Sequence, residues 1–93
     1  MKLGRKTKQP AERLDYDVVY GDWLANTDDT IASAQVTATP PGIDIDVVQV
    51  SDHRVKVWLS GGTDGETYKI EVTAETAAGA IKQDEFDIRV KEY

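Results

Sequence analysis

The side chains that could do chemistry are few and scattered. His53, the single histidine, stands between Asp52 and Arg54, with Ser51 two residues ahead of it. A nucleophile, its base and the group that orients the base must meet in space. Neighbours in one turn do not, so Ser51-Asp52-His53 reads as a turn and not as a triad. The carboxylates fall in pairs: Asp15 with Asp17, Asp28 with Asp29, Asp44 with Asp46, Glu85 with Asp87. On a strand, residues two apart share a face, so Asp44 and Asp46 would stand side by side, and a calcium site would need further oxygens from loops. No stretch has the spacing of an EF-hand or a comparable dense set of oxygen ligands, which leaves a solvated acidic face as the simpler reading. Gly61-Gly62-x-x-Gly65 lacks the lysine and the strand-to-helix setting of a phosphate loop. The chain has no cysteine, which excludes disulfides, thiolate catalysis, thiol-ligated zinc and iron–sulfur centres. No catalytic residue, metal site or cofactor is therefore assigned, and the expectation is a protein that is not an enzyme.

Two groups of residues remain as candidates for contact with a partner. One is the basic start of the chain. Residues 1–13 hold Lys2, Arg5, Lys6, Lys8 and Arg13 against Glu12, a net of +4, while the other residues carry six basic and sixteen acidic side chains, a net of −10. Residues 1–9 are expected to be a flexible basic tail and 10–93 a single domain. The tail either solubilises the protein or lies as an arm on an acidic surface, of a partner or of a second copy. The acidic body would repel nucleic acid, which is not expected as a partner. The other candidate is Trp58, which falls on the polar phase of its strand: it either covers the far side of a sheet beneath the first segment or is exposed as a contact surface. Trp23 follows a turn and is expected in the core.

The elements that must position these residues are strands. Arg54–Thr76 contains two alternating runs: Val55, Val57 and Leu59 against Arg54, Lys56 and Trp58, then Tyr68, Ile70, Val72 and Ala74 against Lys69, Glu71, Thr73 and Glu75. Joined by a glycine-rich loop, they predict an antiparallel hairpin. Tyr68, opening its strand just after Asp64-Gly65, suits a tyrosine corner, in which the hydroxyl bonds back to backbone a few residues upstream. Ahead of this hairpin, Leu14, Tyr16 and Val18 share one face of a first strand. From Thr30 to Thr39, Ala32, Ala34, Val36 and Ala38 alternate with Ile31, Ser33, Gln35 and Thr37, ending at Pro40-Pro41-Gly42. Ile43 to Val50 changes phase near Val47-Val48, which predicts a bulge there. The last segment carries Phe86, Ile88 and Val90 inward; Ile81 is out of phase with them, so that strand either bulges within Lys82 to Glu85 or begins after it. Six or seven short strands without a helix predict an all-β fold, a single antiparallel immunoglobulin-like or fibronectin-like sandwich, with a small barrel as the alternative.

No apolar run approaches the ~20 residues of a membrane helix, so no membrane partner is expected. Met-Lys-Leu-Gly-Arg-Lys lacks the apolar centre of a signal peptide, so secretion by that route is not expected and the chain is read as made in the cytoplasm without a signal peptide.

One ordered set of residues carries a resemblance. Lys8-x-Pro10-x-x-x-Leu14-Asp15-Tyr16, Trp23-Leu24, Asp29-Thr30-Ile31-Ala32-Ser33, Val57-Trp58-Leu59-Ser60-Gly61-Gly62-x-x-Gly65-x-x-Tyr68 and Ile88-x-Val90 resemble the small fiber–tail adaptor proteins of tailed bacteriophages and prophages, from about Lys8 to Lys91. The resemblance implies an immunoglobulin-like structural protein of the virion tail region. Its partners would be other phage structural proteins and further copies of itself, with Lys2, Arg5, Lys6, Lys8 and Trp58 as candidate contacts. The alternatives are a carbohydrate- or ligand-binding module that uses Trp58 as a stacking platform, or a virion assembly factor.

Overall fold

The structure, a computed structural model, describes residues 2–93. Alternating sequence becomes strand along nearly the whole chain: β1 Lys2–Lys8, β2 Arg13–Val19, β3 Ile31–Thr39, β4 Ile43–Ser51, β5 Arg54–Gly61, β6 Thr67–Thr76 and β7 Ile81–Val90. They form two sheets, in the order β1-β7-β6-β3 and β2-β5-β4. Every pairing is antiparallel except that of β1 with β7. The chain changes sheet at each of its first three links and again between β5 and β6. Only β4–β5 and β6–β7 are hairpins. This wiring is that of an immunoglobulin-like sandwich.

Arg54–Thr76 is thus not a hairpin. β5 pairs with β2 and β4, β6 pairs with β3 and β7, and the glycine-rich loop crosses between sheets. Both alternations hold, but their apolar faces oppose each other across the core instead of lying side by side. Val55, Val57 and Leu59 from one sheet meet Tyr68, Ile70, Val72, Ala74, Phe86, Ile88 and Val90 from the other, all buried. Alternation alone does not distinguish these cases, since it reports which face is wet and not which strand is adjacent. Two faces about 10 Å apart can be spanned by a loop of this length.

The crossing loop is fixed from within the core. The buried Tyr68 hydroxyl accepts the Thr63 N–H at 2.9 Å, five residues upstream. The Gly65 N–H donates to the Val90 carbonyl and the Val90 N–H to the Glu66 carbonyl, at 2.8 and 2.9 Å. Gly62, at φ 98°, lies so close to Val90 that a Cβ would stand 2.7 Å from its Cγ2.

Departures from strict alternation explain several differences from the sequence expectations. A register shift between Ile31 and Ser33 turns Ile31 into the core, on the side of Ala34, Val36 and Ala38, where simple alternation puts it outside. In β4 the shift lies between Ile45 and Val47, one residue before the expected bulge. It leaves Val48 facing inward and Val47 beside Trp58. β7 neither bulges nor starts late: it pairs continuously with β6 from Ile81, and Ile81 is out of phase because it stands on the outer face, exposed. Trp23 is 40% exposed while Tyr20, three residues earlier, is 1% exposed. The Tyr20 carbonyl accepts the Leu24 N–H, a tight turn that sends Leu24 inward and leaves Trp23 at the rim.

The largest correction concerns the start of the chain. Residues 2–8 are not a free tail: they form β1 along β7. Lys8 at its end is buried, 1% exposed, so β1 belongs to the sandwich and the expected boundary at residue 10 does not separate it.

Candidate functional site

The residues with chemical potential stay dispersed. His53 lies in the β4–β5 turn and its carbonyl accepts the Tyr20 N–H at 2.8 Å. The Ser51 hydroxyl donates to the Arg54 carbonyl, across the same turn and not to the imidazole. Asp15 pairs with Lys56 at 3.3 Å and Asp17 with Arg54 at 3.7 Å, both across the β2–β5 ladder. The bulge at Asp46 separates it from Asp44, and Asp46 accepts Arg13 Nε at 3.0 Å. Hydrogen bonds from Ser60 and Arg13 hold the Asp46 carboxyl below the usual carboxylate range. Asp29 is structural: its Oδ1 accepts the N–H groups of Thr30 and Ala78, each at 3.0 Å, tying the β2–β3 loop to the β6–β7 turn. Among the described residues no group of three or more His, Cys, Asp or Glu is placed to hold a metal ion.

Trp58 is half-buried on the outer face of the three-stranded sheet, between Asp15 and Val47 on the flanking strands. The Arg13 guanidinium lies 4.7 Å from its ring centroid while donating to Asp46, so one face of the indole is already covered. Val47 beside it is 37% exposed. The result is a small apolar patch with a fixed cation above it. The Trp23 ring is likewise approached by Lys82 Nζ, at 5.5 Å.

The basic residues of β1 divide by face. Lys8 is withdrawn from any partner: its ammonium donates to the Gly61 and Gln9 carbonyls, and burial pushes its pKa down. This removes Lys8 from the candidate contacts, because alternation along β1 turns its side chain between the sheets. Lys2 pairs with Asp87 on the outer face. Arg5 and Lys6 are exposed and have no acidic partner within 4 Å among the described residues.

Sequence reasoning missed what β1 creates. Between β1 and β2, at the open side of the sandwich, lies a groove of about 290 Å³. Leu3, Gly4 and Lys6 form one wall, Asp15 and Asp17 the rim of the other, and Tyr16 with Phe86 the floor. The two rings are 5.7 Å apart. The Tyr16 hydroxyl is buried without a hydrogen-bond partner, and burial raises its pKa. The signal was present in the tail: Leu3, Lys6 and Lys8 share a face once Gly4 is read as a bulge, and positive φ at Gly4 (118°) allows that.

The chain matches the family model described as podophage GP4 fiber-tail adaptor protein gp77, over residues 8–89. It belongs to this family. The match takes in β2 through most of β7 and the crossing loop with Tyr68, and leaves Lys2–Thr7 outside. No curated protein matches the chain. Membership identifies a tailed-phage structural protein of the adaptor type, and the immunoglobulin-like sandwich is the scaffold on which it is built.

Proposed function

We propose that this protein is a non-enzymatic adaptor of the virion tail region, which joins a fiber to the tail by binding other phage structural proteins through sheet edges and outer faces. The observation that carries the reading is the family match over residues 8–89. Two features support it. Ser51, Asp52 and His53 converge on nothing, and among the paired carboxylates Asp15, Asp17, Asp46 and Asp87 meet arginine or lysine while Asp29 accepts backbone N–H groups. Four of the seven strands are sheet edges, and edges are where a second chain can add. Arg5, Lys6 and the Trp58–Val47 patch are the contact elements. Several copies on one particle would let weak individual contacts hold, because a second contact is effectively intramolecular. Synthesis in the host cytoplasm followed by incorporation into the particle fits this role.

The test is quantitative mass spectrometry of purified particles, measured against the major capsid and tail proteins. A fixed stoichiometric presence, with cross-links to a tail or fiber protein, is the expected result. Abundance in the lysate with absence from particles would overturn the adaptor reading in favour of an assembly factor. Trp58→Ala separates the carbohydrate alternative, since glycan binding lost in that variant would replace the protein–protein reading.

A further inference from the structure

We propose that the outer edge of β1 is a docking site for an extended acidic segment of a partner protein, which adds to the four-stranded sheet as a further strand and seats a bulky side chain in the groove over Tyr16 and Phe86. The inference rests on the adaptor reading and specifies the chemistry of the partner.

Three independent observations converge on this edge. The first is backbone polarity. β1 is the outermost strand of its sheet, and the Lys8 carbonyl accepts the Lys91 N–H at 2.9 Å, so the backbone groups of Lys8 face β7. Along a parallel strand these directions alternate. The N–H and C=O groups of Arg5 and Thr7 therefore face away from β7, where they can receive another strand.

The second is the groove beside that edge. A strand laid along β1 directs alternate side chains toward the space between β1 and β2. There it meets the rings of Tyr16 and Phe86 and about 290 Å³ of room, which a bulky apolar side chain of the added strand would fill.

The third is charge. Lys2, Asp15 and Asp17 are already paired, which leaves Arg5 and Lys6 as the uncompensated charges of this edge. Charged residues on an edge ordinarily keep strands apart. Here they repel a second β1 and any basic segment, and they admit an acidic one. Residues 2–7 also lie outside the family match.

The probe is a display library of random peptides of about ten residues, enough to span a typical strand, selected on the immobilised full-length protein. Selected sequences are expected to alternate Asp or Glu with bulky residues, to bind more weakly as salt is raised, and to shift the amide resonances of Arg5 and Thr7. Thr7→Pro removes an outward N–H without breaking the β7 ladder and should weaken binding at least about tenfold, an amount well above the scatter between neutral surface variants. Arg5→Glu with Lys6→Glu, two exposed positions, should reverse the charge preference and serves as the deciding variant if circular dichroism shows Thr7→Pro to be misfolded. No enrichment, enrichment without acidic residues, or binding untouched by these variants overturns the proposal. So does self-association in the ultracentrifuge that Thr7→Pro abolishes, which would make a second copy the occupant. None of these readings uses virus particles, so a failure here is distinct from the absence from particles that would overturn the adaptor role.

Discussion

The Lys8 ammonium donates to the carbonyl of Gly61, and with that contact the last residue of β1 in one sheet is fastened to the last residue of β5 in the other. The charge is buried with two carbonyl oxygens around it and no carboxylate within 4 Å among the described residues, so burial outweighs the attraction of Glu12 and its pKa falls. Removing the whole side chain leaves both carbonyls and a cavity. Lys8→Ala is expected to cost about 2–4 kcal/mol. Lys8→Met keeps most of the volume and loses only the charge and its bonds, so about 1–2 kcal/mol is expected. Urea unfolding followed by tryptophan fluorescence measures both, and equal effects would show that the hydrogen bonds, not the packing of the stem, carry the contribution.

Tyr20 supplies a test with pH. Its hydroxyl is buried and without a partner, and burial, reinforced by the nearby Asp84 charge, pushes its pKa up to about 12. A raised folded pKa means that the proton is held more tightly in the native state. The corresponding stability is present below the unfolded tyrosine value of about 10 and is lost as pH rises from there toward 12. Tyr20→Phe removes a desolvated hydroxyl that bonds to nothing and is expected to leave stability unchanged or raise it by up to about 1 kcal/mol at neutral pH. It should also lose less stability than wild type between pH 10 and 12, with the remaining dependence carried partly by Tyr16, whose pKa is raised as well. Urea midpoints taken across that range provide the check.

Asp29 gives the acid-side counterpart. Hydrogen bonds from Thr76, Ala78 and Thr30 lower its pKa below the usual value of 3.8. A lowered folded pKa contributes stability above the unfolded value, and this is lost as pH falls through the lowered one. Asp29→Ala is expected to flatten the acid end of the stability profile and to speed hydrogen exchange at the Ala78 and Thr30 amides. Unchanged exchange at both would show that the loop is held without the carboxylate.

How much of this could be read in advance follows from what alternation encodes. The inward residues of β5, β6 and β7 were legible because each strand has one wet and one dry face. The position of Tyr68 at the start of a strand after Asp64-Gly65 was also legible. The neighbour of each strand was not: Val55 and Tyr68 alternate in the same way whether they are adjacent in one sheet or opposed across the core. β1 was hidden for a different reason. Of the residues on its inward face, Leu3, Lys6 and Lys8, only Lys8 is buried, and its long stem buries like an apolar side chain while its charge marks the segment as solvent-loving. Trp23 was expected inside and stands at the rim because a tight turn, and not residue size, decides which side chain enters the core.

The crossing loop offers the sharpest comparison. Gly62 and Gly65 both have positive φ, 98° and 89°, but a Cβ at Gly62 would meet Val90 Cγ2 at 2.7 Å whereas at Gly65 it would meet nothing within 4 Å. Gly65→Ala therefore carries conformational strain alone, about 1 kcal/mol, and Gly62→Ala adds the displacement of a core valine, for about 2–4 kcal/mol in all. Tyr68→Phe falls between them at about 1–2 kcal/mol, because it leaves the Thr63 N–H without its partner while keeping the ring in place. Chemical denaturation should rank the three variants in that order. A Gly62→Ala protein as stable as Gly65→Ala would mean that Val90 yields freely and that the loop is not fixed against the core at that point.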